Sequence, residues 1–313
     1  MSTMTLHDIT LTYDDEGGNG SGNEGAGRDR DGDRDRGGGE VLVLVHGHPF
    51  DRSMWRPQIE TFAGPGRRVI APDLRGYGGS TVLPGKTTLT TFAWDIAALL
   101  DRLGVDRVVL GGLSMGGQIV LEFYRLFPER VRALVLADTF AAAETEQGRV
   151  ARNTTADRLL REGMGPYADE VLTKMVAPHN VEALPAVAAH VRDMMRGAPP
   201  EGAAAALRGR AERPDYVGML ARVAVPALVV VGSEDEFTPV ADARVMSDGI
   251  PDATLAVVEG AGHMPNLERR AEFDAVLGAF LDSLPPITSG VIDRAGDFEN
   301  HQGGQAASPR RNP

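Results

Sequence analysis

Short, unbroken apolar runs alternate with stretches of helical spacing along the middle of the chain. Residues 41–45 (VLVLV), 69–71, 108–110, 133–137 and 228–231 are continuously apolar rather than apolar at every second position, as expected of parallel strands covered on both faces. Residues 255–258 read as a last strand. Between these runs, residues 90–103, 115–127, 240–250 and 268–284 carry helical periodicity; Gly104 closes the first and Pro128 ends the second. Strand-helix alternation of this kind predicts an α/β fold, a mostly parallel sheet with helices on both faces.

One interval breaks the rhythm. From Phe140 to Arg213 there is no strand-like run, only Ala, Arg, Met and Leu at helical spacing, punctuated by Pro166, Pro178, Pro185, Pro199 and Pro200. A helical insertion of this length between two strands is too long for an ordinary crossover and predicts a helical lid over residues 140–213. The core is then expected from 40–139 and 214–284, with an N-terminal strand in residues 1–13.

The two remaining segments are poor in apolar residues. Residues 14–39 hold ten glycines, eight acids and four arginines, and a segment of that composition cannot offset its ordering entropy by burial. It is expected to be a disordered loop. The alternation of Asp29, Asp31, Asp33 and Asp35 with Arg28, Arg30, Arg34 and Arg36 lacks the glycine and closing glutamate of a calcium loop. Residues 285–313 read as a disordered tail.

Composition narrows the function classes. With 44 acidic and 32 basic residues the formal charge is -12, the wrong sign for following a phosphate backbone or an anionic membrane, so neither nucleic acid nor membrane is an expected partner. The absence of cysteine excludes disulfides, thiolate catalysis and Cys-based metal sites. MSTMTLHDIT has no basic leader followed by an apolar core, and no run reaches the roughly 18 apolar residues of a spanning helix. A soluble, cytoplasmic protein is expected, with no metal and no organic cofactor; its oligomeric state is open.

The chemistry centres on Gly112-Leu113-Ser114-Met115-Gly116, the one G-x-S-x-G in the chain. It directly follows a predicted strand and directly precedes a predicted helix, the setting in which a strained turn exposes a serine hydroxyl. The amide of Met115, at the helix N-terminus, then faces a developing oxyanion. A serine needs a base and the base needs an orienting group. His7 and His301 lie toward the termini, and His179 and His190 in the lid, leaving His46, His48 and His263. His263 sits in a glycine-flanked loop after the last strand, where open α/β sheets keep reactive groups. After strand 228–231 the loop Gly232 to Pro239 offers Glu234, Asp235 and Glu236; Asp235 is the preferred acid, although spacing alone does not separate the three. The resulting chain order is Ser114, Asp235, His263.

With those residues in place, the chain resembles the α/β-hydrolase superfamily over about residues 40–284, through His46-Gly47-His48-Pro49, Asp73 to Ser80, Gly112 to Gly117, Gly232 to Pro239 and Gly260 to His263. The resemblance implies the α/β-hydrolase fold, Asp235 as the acid of the G-x-x-D-x-x-T-P segment, and backbone oxyanion donors at His48 and Met115. It gives His46 a structural role. HGHPFDRSMW, the lid methionines Met194 and Met195, and Arg213-Pro214-Asp215-Tyr216 are similar to the 3-oxoadipate enol-lactonase and carboxylesterase-like branch. The implied activity is hydrolysis of a small carboxylic ester or lactone through an acyl-enzyme. Cofactor-free haloperoxidases (perhydrolases) and thioesterases of the same fold remain alternatives, as does a hydrolase-fold small-molecule receptor. Met164, Met175, Met194, Met195 and Met219 are read equally as acyl-pocket lining or as helix packing. Arg192 and Arg196, one helical turn apart, are candidates for a substrate carboxylate or, more simply, for a solvated face. Trp55 and Trp94 are assigned to packing.

Overall fold

The computed structural model describes residues 1–18 and 39–286. Residues 19–38 and 287–313, which hold most of the expected loop and the expected tail, lie outside it. Eight strands form one sheet in the order β1-β2-β4-β3-β5-β6-β7-β8. They are β1 (Ser2–Leu6), β2 (Ile9–Gly17), β3 (Glu40–Val45), β4 (Arg67–Pro72), β5 (Val108–Leu113), β6 (Val131–Ala137), β7 (Ala227–Gly232) and β8 (Ala253–Val258). The β1–β2 and β2–β4 pairings are antiparallel, and every pairing from β4 onward is parallel.

The continuous apolar runs follow from the layering. In β3, Val43 and Val45 enter one core while Leu42 and Leu44 enter the other; in β7, Val229 and Val231 part from Leu228 and Val230 in the same way. One face is covered by α1 (Arg56–Phe62) and the last helix; the other by α2 (Leu89–Arg102) and α3 (Met115–Leu126).

The interval after β6 is helical: α4 (Glu146–Glu162), α5 (Met164–Met175), α6 (Pro178–Ala183), α7 (Pro185–Gly197) and α8 (Pro200–Ala211). Three of the prolines that punctuate it open α6, α7 and α8, where a missing N–H costs nothing. The short α9 (Val217–Leu220) leads to β7; α10 (Val240–Gly249), α11 (Pro265–Glu268) and α12 (Arg270–Ser283) are the last helices among the described residues. No helix among the described residues is long and apolar enough to cross a membrane.

Two boundaries differ from expectation. Strand β2 runs through Asp14, Asp15 and Glu16 to Gly17, although residues 14–39 read as loop. Arginines from elsewhere in the fold neutralise this acidic stretch: Asp15 is gripped by Arg68 at 2.8 and 2.7 Å and Glu16 by Arg56 at 2.5 Å. The expected helix 268–284 is broken at Arg269, so Glu268 belongs to the separate turn α11 and its side chain is buried.

Candidate active site

Ser114 occupies the turn between β5 and α3 with φ 58° and ψ -117°, a left-handed conformation that side chains other than glycine's rarely adopt. The flanking glycines make the turn possible. A Cβ on Gly112 would lie 2.4 Å from the Gly116 backbone, and one on Gly116 would lie 2.2 Å from the Val45 carbonyl oxygen. The Ser114 N–H donates to Ala137 O at 2.9 Å, and the Thr139 hydroxyl donates to Ser114 O at 2.7 Å, tying the elbow to β6 and its loop.

Asp235 and His263, on the loops after β7 and β8, are in direct contact. His263 Nδ1 lies 2.7 Å from Asp235 Oδ2, with both residues buried. The carboxylate is fully used: Oδ1 accepts from Phe237 N at 2.8 Å and Thr238 N at 3.2 Å, and Oδ2 also accepts from the Thr238 hydroxyl. Burial alone would raise this carboxyl, but the charge and hydrogen bond of His263, with the Thr238 and Phe237 donors, outweigh it and hold Asp235 below the ordinary range. Glu234 and Glu236 face solvent. Ser114, Asp235 and His263 therefore share the edge of the sheet formed by the carboxyl ends of β5, β7 and β8.

The His46 to Pro49 turn abuts the elbow, since a Cβ on Gly47 would be 3.3 Å from the Ser114 Cβ. His46 is buried, with Nδ1 donating to Gly47 O at 2.8 Å and Nε2 accepting from Leu74 N at 3.0 Å, which fixes one neutral tautomer and gives the ring a structural role. The His48 ring meets the Tyr77 hydroxyl at 2.7 Å through Nδ1. Burial, followed by the nearby charges of Arg210 and Arg152, pushes this imidazole well below its usual range and keeps it neutral. Among the described residues neither the His48 nor the Met115 backbone N–H has a protein acceptor.

Three neighbouring residues were not singled out by sequence reasoning. Asp138, after β6, is fully buried at φ 44°; its Oδ1 accepts from Gly232 N at 2.9 Å and its Oδ2 has no donor. Glu268 clamps the histidine loop to the helical insertion. Its Oε1 accepts from Gly262 N and Met264 N at 3.0 and 3.1 Å, its Oε2 from Ala177 N and Asn180 Nδ2 at 2.9 and 2.8 Å. The third is Arg210, on the last turn of α8, whose Nε donates to Gln118 Oε1 at 3.1 Å. Arg192 and Arg196 instead lie on the surface beside Asp169, at 3.7 and 2.8 Å. Met175, Met194 and Met195 pack in the core beside the α1–α12 face; Met164 and Met219 pack in the other. Trp55 packs against Phe273, and the half-exposed Trp94 lies edge-on to Phe127.

Comparison with known proteins agrees with this architecture. A family profile described as alpha/beta hydrolase fold matches residues 40–270. A 3-oxoadipate enol-lactonase of Acinetobacter baylyi is 31% identical over 229 residues, covering 73% of this chain and 84% of that protein. A thermophilic esterase from Thermogutta terrifontis, solved with malate bound, superposes with a TM-score of 0.81 at 34% identity, over 91% of this chain and 99% of its own. The enol-lactonase from Burkholderia xenovorans gives a TM-score of 0.77 at 26% identity, over 90% of this chain and 100% of its own.

Proposed function

The chain belongs to the α/β-hydrolase fold family, and from that premise we propose that it is a serine hydrolase cleaving a small carboxylic ester or lactone. One observation carries the reading: the buried Asp235–His263 pair, at 2.7 Å, stands on the same sheet edge as a serine held in a strained elbow. In this reading Ser114 Oγ attacks the ester carbonyl while His263 takes its proton through Nε2. Asp235 holds the Nδ1–H, fixing the tautomer and stabilising the imidazolium. The tetrahedral oxyanion is bound by the N–H groups of His48 and Met115, whose donor capacity is otherwise unspent. As the intermediate collapses, His263 returns the proton to the departing oxygen. In a lactone that oxygen stays tethered to the acyl group. The same imidazole then activates water to release the acid and free Ser114.

Enol-lactonase and esterase relatives support an oxygen-ester substrate. Fluorophosphonate labelling tests the assignment. Wild type should incorporate the probe at Ser114 and hydrolyse p-nitrophenyl esters, and Ser114→Ala should do neither. Labelling that survives in Ser114→Ala would remove the nucleophile from this reading.

A further inference from the structure

The His46 to Pro49 turn and the His263 loop lie far apart in the chain, yet one residue bonds to both. Met54, in the 3₁₀ turn Arg52–Trp55, is fully buried. Its sulfur accepts from the Gly47 N–H at 3.4 Å, and its carbonyl oxygen accepts from Asn266 Nδ2 at 2.9 Å. Gly47 directly precedes His48, and Asn266 lies on α11 three residues beyond His263. The second of these bonds closes a separation of 212 residues.

Two consecutive peptide planes are pinned at the His48 end. The first, between His46 and Gly47, is held through its N–H by the Met54 sulfur. The second, between Gly47 and His48, is held through the Gly47 carbonyl, which accepts from Phe50 N at 3.0 Å and from His46 Nδ1 at 2.8 Å. A trans peptide points its N–H opposite to its C=O, so these bonds aim the His48 N–H. Sulfur is a weak acceptor, so it fixes the first plane only as well as Met54 is itself fixed.

Uncharged groups fix Met54 at the other end. Gln58 on α1 and Asn266 are both fully buried and bond reciprocally: Gln58 Nε2 donates to Asn266 O at 3.1 Å, and Asn266 Nδ2 donates to Gln58 Oε1 at 3.3 Å. Gln58 Nε2 also donates to Asp274 Oδ1 on α12 at 2.8 Å. Buried amides are costly to leave unpaired, so a shift of α11 against the Met54 turn would break several bonds at once.

We propose that Met54 and Asn266 are positioning residues that set the His48 N–H and the His263 imidazole at a fixed separation, so that base and oxyanion donor meet one tetrahedral intermediate. The roles of His48 and His263 rest on the hydrolase reading; the connection between them stands on its own hydrogen bonds.

The test measures steady-state kinetics on one p-nitrophenyl ester together with the backbone amide resonances of Gly47 and His48, for wild type, Asn266→Ala and Met54→Leu. Met54→Leu conserves volume and keeps the carbonyl bond, so it decides the matter even if Asn266→Ala does not fold. Asn266→Ala should lower kcat by about 10- to 30-fold and Met54→Leu by about 3- to 10-fold, each less than the roughly 10²- to 10³-fold that deleting an oxyanion donor costs. KM should hold within about twofold, because a misplaced donor is felt in the transition state. The Gly47 and His48 resonances should move in both variants. Ile96→Val, an equally mild change in the other core, should alter neither kcat nor those resonances. Gly47 and His48 resonances that move in both variants of a protein that cleaves no ester would uphold the connection and sink the hydrolase reading. An active wild type whose kcat is unchanged in Met54→Leu, or falls no further than in Ile96→Val, would overturn the inference and leave the hydrolase standing.

Discussion

A carboxyl oxygen of Asp138 and one of Asp235 lie within 4.8 Å of each other and of a His263 ring nitrogen, but Asp138 accepts one hydrogen bond, from Gly232 N, where both oxygens of Asp235 have donors. Burial, followed by the adjacent Asp235 charge, pushes Asp138 well above the ordinary carboxyl range. Two carboxylates this close and this buried do not both ionise. A proton on Asp138 spares its donorless Oδ2 an uncompensated charge beside Asp235.

Asp138→Asn copies the neutral form, so turnover should stay within about tenfold of wild type. Its stability effect has a definite sign. The raised folded pKa means the folded state binds the proton more tightly, so stability is lost as pH rises above the unfolded carboxyl value of about 3.9. Asn removes that loss. The variant should melt higher than wild type at pH 7, by about 2 °C for each kcal/mol released, with the gap closing toward pH 3.5. An inactive Asp138→Asn would instead make Asp138 the ionised acid of the site.

Asp235→Asn tests the partner directly. It leaves the shape but offers His263 Nδ1 an amide, favouring the wrong tautomer, and kcat should fall on the order of 10⁴-fold. Glu236→Gln, one residue away and solvent-facing, should remain within about twofold. Steady-state kinetics on one p-nitrophenyl ester decides between them, and equal losses in both variants would count against the register of this loop.

Glu268 predicts a coupled loss of stability and rate. Its carboxylate satisfies three backbone N–H groups and the Asn180 amide, joining the His263 loop to the start of α6 and the residue before it. Gln keeps one oxygen and turns an NH₂ toward two of those donors. The cost should be about 2–4 kcal/mol in urea unfolding, since each unsatisfied buried donor costs roughly 1–3 kcal/mol. Because Gly262 and Met264 flank the histidine, kcat should drop as well, and a stability loss without any kcat change would reduce Glu268 to a packing role.

The fold was legible where the physics is local. Both faces of β3 and β7 are buried, so their apolar runs are unbroken, and Gly112 and Gly116 stand where a Cβ would strike backbone. The contact of Asp235 with His263 agrees with what the resemblance of its loop motif implies, where spacing alone left Glu234 and Glu236 open. Asp138, Glu268 and Arg210 were not, because each makes its defining contact across 94, 91 or 92 residues and a single Asp, Glu or Arg leaves no periodic trace. Strand β2 was misjudged past Tyr13 for the same reason: the arginines that neutralise Asp15 and Glu16 come 53 and 40 residues later. Arg192 and Arg196 drew attention by their helical spacing, yet Asp169 already answers them.

The Ser114 backbone supplies the last prediction, because the same strain that exposes the hydroxyl is a stability cost. A non-glycine residue at φ 58° and ψ -117° is strained by on the order of 1–3 kcal/mol. Ser114→Ala removes the hydroxyl but keeps a Cβ, so the strain stays and stability should shift little. Ser114→Gly removes both. Its more flexible unfolded chain takes back about 0.4–1 kcal/mol, leaving it more stable than Ser114→Ala by up to about 2 kcal/mol. Both variants should be inactive, which separates the conformational effect from the chemical one. Parallel urea unfolding of the two is the measurement, and a Ser114→Gly protein less stable than Ser114→Ala would show that the elbow is relaxed and that its geometry is set by packing alone.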